Sequence, residues 1–91
     1  MSFEFDPTKS AANLAKHGID FEAAQALWLD DRRFTLPSAY VGEIREVVIG
    51  MVGDRLWAAA ITLRGDAIRI VSVRRARRSE EREYERRKED D

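Results

Sequence analysis

Cysteine is absent, and histidine occurs once, at His17. The chain therefore forms no disulfide and offers no thiolate to a metal, and a lone imidazole argues against a zinc cluster. No apolar run approaches the roughly 20 residues that a membrane-spanning helix needs. The N-terminus lacks the basic start and apolar stretch of a secretory signal. A soluble, cytoplasmic protein is therefore expected. Also missing are a glycine-rich phosphate loop, a paired-histidine metal motif and a Ser/His/Asp arrangement. An enzyme built from these residues works without an obvious cofactor, and none is expected.

What is present is charge, unevenly spread. The 91 residues suffice for one domain, expected over 1–91 with a frayed tail from about 86. Net charge is only −1, yet residues 1–54 carry five basic and nine acidic side chains (−4) and residues 55–91 eleven and eight (+3). Within 55–78 seven arginines face Asp66 alone. Segregation of this kind builds a local positive field, and arginine is the planar donor that suits phosphate. A solvated, arginine-rich surface is the alternative explanation.

Phe3-Glu4-Phe5 alternates like a short strand. Asp6-Pro7 reads as the N-cap and first residue of a helix that Gly18 ends, with Ala11, Leu14 and Ala15 on one side. Asp20 can cap a second helix from Phe21 to about Leu29. Asp30-Asp31 and Pro37-Ser38 punctuate the next stretch of chain. Strands are then expected at Arg32–Leu36, Ile44–Val52, Leu56–Leu63 and Ala67–Val73, joined by short turns. Ser79 can cap a final helix whose acidic start and basic end match the helix dipole. Apart from Tyr84 that helix lacks an apolar stripe, so it is expected to be loosely held or to bind something else. The fold class is α+β: a compact antiparallel sheet of about four or five strands, two N-terminal helices and one C-terminal helix.

Two constellations could carry chemistry. On the first helix Lys9, Asn13 and Lys16 line up opposite the Ala11/Leu14/Ala15 side, with His17 at the border. Positive side chains at a helix C-terminus are stabilising in their own right, so these residues read equally as a helix end. The second constellation is "RIVSVRRARRSEEREY", residues 69–84. Strict alternation would place Ile68, Ile70, Ser72 and Arg74 on one sheet face and Arg69, Val71, Val73 and Arg75 on the other. Arginines at a strand end beside a helix start can grip phosphates through forked hydrogen bonds, or can pair with Glu80, Glu81 and Glu83. Trp28 and Trp57 read as core residues, with stacking on RNA bases as the other option. RNA cleavage suits a cofactor-free chain, because the ribose 2′-hydroxyl supplies the nucleophile.

"FEFDPTKSAANLAKHGIDFEAA" resembles the opening of BrnT-type toxins, and "RGDAIRIVSVRRARRSEEREYE" resembles their close. Glu43, Arg45, Ile49 and Gly50 sit where that pattern has an acidic residue, an arginine and an Ile-Gly pair. The resemblance runs over about residues 3–85. It implies a RelE-like fold and a metal-independent endoribonuclease that halts translation within a type II toxin–antitoxin pair. It further implies a BrnA-type antitoxin partner, assembly with it as a heterotetramer, and contact with operator DNA only through that partner. By position, Lys16 and His17 match the family's Lys-His pair, Arg45 its central arginine, and Arg74, Arg78 and Glu80 its C-terminal block. Phe5 replaces a common tryptophan, and an Asp/His-containing loop is missing around Ser38–Tyr40.

The expected catalytic set is thus His17, Arg45, Arg74, Arg78 and Glu80, with either His17 or Glu80 moving a proton. Lys9, Lys16, Arg64, Arg69, Arg75 and Tyr84 are the expected RNA contacts. A non-catalytic module that binds an antitoxin, another protein or nucleic acid through the same surface is the competing expectation.

Overall fold

The computed structural model describes residues 2–40 and 43–89. In chain order they form β1 (Ser2–Glu4), α1 (Pro7–His17), a 3-10 helix (Ala23–Leu29), β2 (Phe34–Tyr40), β3 (Glu43–Val52), β4 (Arg55–Arg64), β5 (Ala67–Arg75) and α2 (Arg78–Glu89). The strands make one sheet in the order β1-β5-β4-β3-β2. β2 to β5 run antiparallel, as their short connections require, but β1 lies parallel to β5. The α+β class holds, with a mixed sheet where a purely antiparallel one is expected. No helix among the described residues is long and apolar enough to cross a membrane. Residues 86–89 continue α2, while the last two residues of the expected frayed tail lie outside the described residues.

α1 begins and ends as its sequence dictates. The Asp6 carboxylate accepts from the Thr8 and Lys9 N–H groups at 2.8 and 3.4 Å, and Gly18 takes the left-handed conformation (φ 85°) and donates to the Leu14 carbonyl. The side it turns to the core, however, is not its apolar one. Ser10 and Asn13 are buried, whereas Ala11, Leu14 and Ala15 face outward and Leu14 is 50 % exposed.

The reason is a hydrogen-bonding demand. β1 pairs with β5 only as far as Arg69, so among the described residues the outer edge of β5 beyond it has no strand neighbour. Asn13 takes over: its Oδ1 accepts from the Val73 N–H (3.1 Å) and its Nδ2 donates to the Ile19 carbonyl (2.8 Å). The Ser10 hydroxyl likewise accepts from the Phe21 N–H. Unpaired backbone groups in these buried places cost more than burying a few alanines gains. Asn13→Ala is accordingly expected to destabilise the chain by about 2 kcal/mol, measured by denaturant unfolding. A change below about 0.5 kcal/mol would sink this account of α1.

The main core lies between this layer and the sheet: Ile19, Phe21, Ala24 and Leu27 pack on Val48, Trp57, Ala59, Ile61, Ile68, Ile70 and Val73. Phe3 meets Trp28 edge-on at 4.9 Å, and Phe5 meets Phe21 at 5.8 Å. Both tryptophans therefore belong to the packing. The Phe21–Leu29 segment forms its helix later and more tightly than expected, as a 3-10 turn. Gly50 lets it close on β3: a Cβ there would stand 2.9 Å from Leu27 Cδ2 and 3.1 Å from Arg33 Cβ.

A second, smaller core fills the opposite face, where Phe34, Ile49 and Ala58 receive Tyr84 of α2. The C-terminal helix is therefore docked, contrary to the expectation of a loosely held one. Polar anchors replace the missing apolar stripe. The Tyr84 hydroxyl donates to Asp30 Oδ2 (2.8 Å), Arg32 donates to the Lys88 carbonyl (3.0 Å), and the Arg87 guanidinium lies 4.5 Å from the Phe34 ring. Helices thus cover both faces of the sheet.

Candidate functional site

β5 does not alternate strictly. Ala60 pairs with Ser72 but Ile61 pairs with Ile70, so Val71 is an extra residue and a β-bulge. The bulge shifts the phase of everything after it. Val73 joins Ile68 and Ile70 in the main core, and Arg74, opposite Ala58, turns to the α2 face. The expected grouping of Arg74 with Ile68 and Ile70 is overturned for this reason.

Turned this way, Arg74 meets Glu80. Nη1 donates to Glu80 Oε1 at 2.8 Å and Nη2 to Oε2 at 2.9 Å, a two-pronged pair, while Nη1 also reaches the Arg75 carbonyl at 3.2 Å. Glu80 Oε1 additionally accepts from the Arg77 N–H at 2.7 Å. That last bond is the returning half of a capping box: the third residue of α2 satisfies the N–H just before the helix. Arg77 thus stands where Ser79 was expected, and Ser79 lies inside the first turn.

The electrostatics reflect this geometry. The Arg74 hydrogen bonds hold the Glu80 carboxyl below the usual carboxylate range; burial opposes them, while the Arg77 N–H and the charges of Arg74 and Arg77 assist. Reciprocally, bonding to Glu80 raises Arg74 against the effect of burial. Glu80 is only 8 % exposed, with both oxygens occupied. It is ionised at neutral pH but is a poor proton acceptor, and its visible work is to fix Arg74 and start α2.

The pair borders a cleft of about 380 Å³ whose wall also includes Arg45, Arg77 and Ser38 and whose floor is Leu36, Val47 and Ala60. Of the expected catalytic residues, Arg45, Arg74 and Glu80 come together here. Arg78 is exposed and does not line the cleft; Arg77 does. No sequence signal marked that exchange, because a capping box is announced by Ser, Thr, Asp or Asn and not by arginine.

His17 stands elsewhere. With Lys9, Lys16, Asn13 and Ser72 it lines a second cleft of about 240 Å³ between α1 and β5, which shares no residue with the first. Arg69 and Arg64 approach Glu4 at 3.3 and 4.0 Å, and Arg75 lies 5.6 Å from the Trp57 ring, its cross-strand partner. Tyr84, an expected RNA contact, is 6 % exposed and is committed to Asp30. Burial, the bond to Asp30 and the Asp30 charge push its hydroxyl up to about 12, so it stays protonated as a donor.

A positively lined cleft on a small mixed sheet is chemistry for a phosphate, and comparison with known proteins points the same way. No curated protein matches the chain. Residues 5–80, most of its length, match the family model described as the ribonuclease toxin, BrnT, of type II toxin–antitoxin systems. The chain belongs to the BrnT family of ribonuclease toxins, whose type II systems pair the toxin with an antitoxin.

Proposed function

We propose that this chain is a metal-independent endoribonuclease, that the Arg45/Arg74/Arg77/Glu80 cleft is its active site, and that a BrnA-type antitoxin neutralises it. The observation that carries the reading is the fixed Arg74 guanidinium, held by Glu80 at the mouth of a cleft with two further arginines. Cleavage of RNA needs little covalent chemistry from the protein. The ribose 2′-oxygen forms a bond to phosphorus, the bond to the 5′-oxygen breaks, and a 2′,3′-cyclic phosphate and a 5′-hydroxyl result. Charge gathers on the phosphoryl oxygens during the step, and pre-positioned guanidinium donors stabilise it. Glu80 acts here as a positioning residue. The two protons exchange with water in this scheme, and no side chain is assigned to carry them.

Among the described residues no group of three or more His, Asp or Glu side chains could hold a metal ion. Antitoxin complexes as a heterotetramer, with operator DNA bound only through the antitoxin, belong to the same proposal. The test is cleavage of a defined RNA by purified protein in excess EDTA. Products ending in 2′,3′-cyclic phosphate are expected at an undiminished rate. Loss of cleavage on chelation, restored by a divalent ion, would refute metal independence. RNA binding that weakens with salt but yields no product would favour the non-catalytic module.

A further inference from the structure

The second cleft has a composition that helix stability explains only in part. Lys16 and His17 sit in the last turn of α1, where positive charge is favoured. Lys9 sits in the first turn, where positive charge is disfavoured and where α1 has no acidic residue. Both lysines are exposed, and among the described residues their side chains have no ion-pair partner. Several arginines behave differently: Arg64 and Arg69 approach Glu4, Arg74 pairs with Glu80, and Arg86 and Arg87 pair with Glu83. Two of the three lysines in the whole chain thus stand seven residues apart, about 10 Å along one helix. Among the described residues, none that lines their cleft is acidic.

The pairing register ties this cleft to the first. One cross-strand row runs Leu36, Val47, Ala60, Ser72. Leu36, Val47 and Ala60 floor the Arg74 cleft, and Ser72, one strand spacing further on (about 4.8 Å), lines the lysine cleft. The bulge at Val71 lies beside that step, on the part of β5 that no outer strand covers among the described residues. A polynucleotide crossing the sheet along this row meets arginines first and lysines next. The ribonuclease reading supplies the occupant, an RNA strand, and binding of an acidic segment of the protein partner is an outcome of the test.

We infer that the α1–β5 cleft holds a backbone phosphate of the RNA strand lying in the Arg74 cleft, with Lys9 and Lys16 as its cationic contacts and the Ser72 hydroxyl as a donor. The inference rests on the ribonuclease reading. It removes His17 from the chemical step and places it beside a flanking phosphate.

The test measures binding of a 12-nucleotide, fully 2′-O-methylated RNA, which lacks the attacking hydroxyl, by fluorescence anisotropy across a salt series. In single-stranded RNA each phosphate contact contributes about 0.7 to the slope of log K against log salt. The double variant Lys9→Gln/Lys16→Gln is expected to lower that slope by about 0.7 to 1.4 and to weaken binding at low salt about tenfold or more. Lys88→Gln, which removes the third lysine from the far end of α2, controls for net charge and should leave the slope unchanged. Circular dichroism melts exclude misfolding, and Lys9→Glu/Lys16→Glu should deepen the loss if the contact is electrostatic. Cleavage by the native chain with an unchanged slope in the double variant overturns the inference and leaves the ribonuclease reading standing. An equal fall in slope for Lys88→Gln also overturns it, because the effect would then be one of net charge. Loss of antitoxin binding with the RNA slope intact would assign the lysines to the protein partner instead. Failure of the native chain either to bind or to cut RNA would strike the ribonuclease reading first.

Discussion

Arg74→Ala should reduce RNA cleavage by about 10² to 10³-fold, the usual consequence of deleting one pre-positioned donor to a developing oxyanion. Arg74→Lys should recover little of it. A lysine cannot offer two parallel N–H groups to Glu80, so its charge would be neither aimed nor held. The alanine variant also leaves Glu80, among the described residues, with only the Arg77 N–H as hydrogen-bond partner. A stability loss of about 1–2 kcal/mol is therefore expected alongside, reduced because the pair is only partly buried. Activity must be read well below the unfolding transition.

Glu80→Gln separates positioning from proton transfer. The amide keeps the size of the group and one acceptor oxygen but weakens the hold on Arg74, so a loss of about tenfold is expected. If Glu80 were the base, the same substitution would remove nearly all activity. Activity of Arg74→Ala within a few-fold of the native chain would remove this cleft from the chemistry altogether.

Much of this was readable before the fold was known, because it depends on neighbours in the chain. Asp6, Gly18 and the hairpin turns announced the element boundaries, since a cap or a tight turn is a local event. Arg74 and Glu80 were marked as one cluster because only six positions separate them. Long-range demands were hidden. Nothing local says that β1 stops pairing at Arg69, so nothing says that Asn13 must turn inward and Leu14 outward. The extra residue at Val71 is equally silent: only the Ala60–Ser72 and Ile61–Ile70 pairings reveal it, yet it sends Arg74 to the α2 face. His17 and Glu80 looked like rivals for one role because sequence cannot place α1 and α2 on opposite layers. Asp30 looked like punctuation, since its partners at Met51 and Tyr84 lie 21 and 54 residues away.

Those partners make Asp30 the site of the largest expected stability effect. Its Oδ2 accepts from the Met51 N–H and the Tyr84 hydroxyl, each at 2.8 Å, and its Oδ1 accepts from the Arg32 N–H at 2.9 Å. One carboxylate thus ties the 3-10 helix, β3 and α2 together across the end of the sheet. Asp30→Ala leaves three donors without this acceptor and should cost about 3 kcal/mol, lowering the melting temperature by roughly 10–20 °C. Tyr84→Phe removes one of those bonds and should cost about 1 kcal/mol. The pH dependence has a definite sign. Burial raises the Asp30 carboxyl, but the N–H groups of Met51 and Arg32, the Tyr84 hydroxyl and the Arg32 charge outweigh it and lower it on balance. Glu80 is lowered as well, chiefly by Arg74. A carboxyl depressed in the folded state binds its proton more readily in the unfolded chain, so its stabilisation is complete above about pH 4 and is lost as pH falls through the folded value. Melts of the native chain should therefore fall steeply below pH 4. Asp30→Asn should start lower at pH 7 and fall less, with the remaining slope owed in part to Glu80. Parallel curves for the two proteins would show that this carboxylate does not carry the acid sensitivity of the fold.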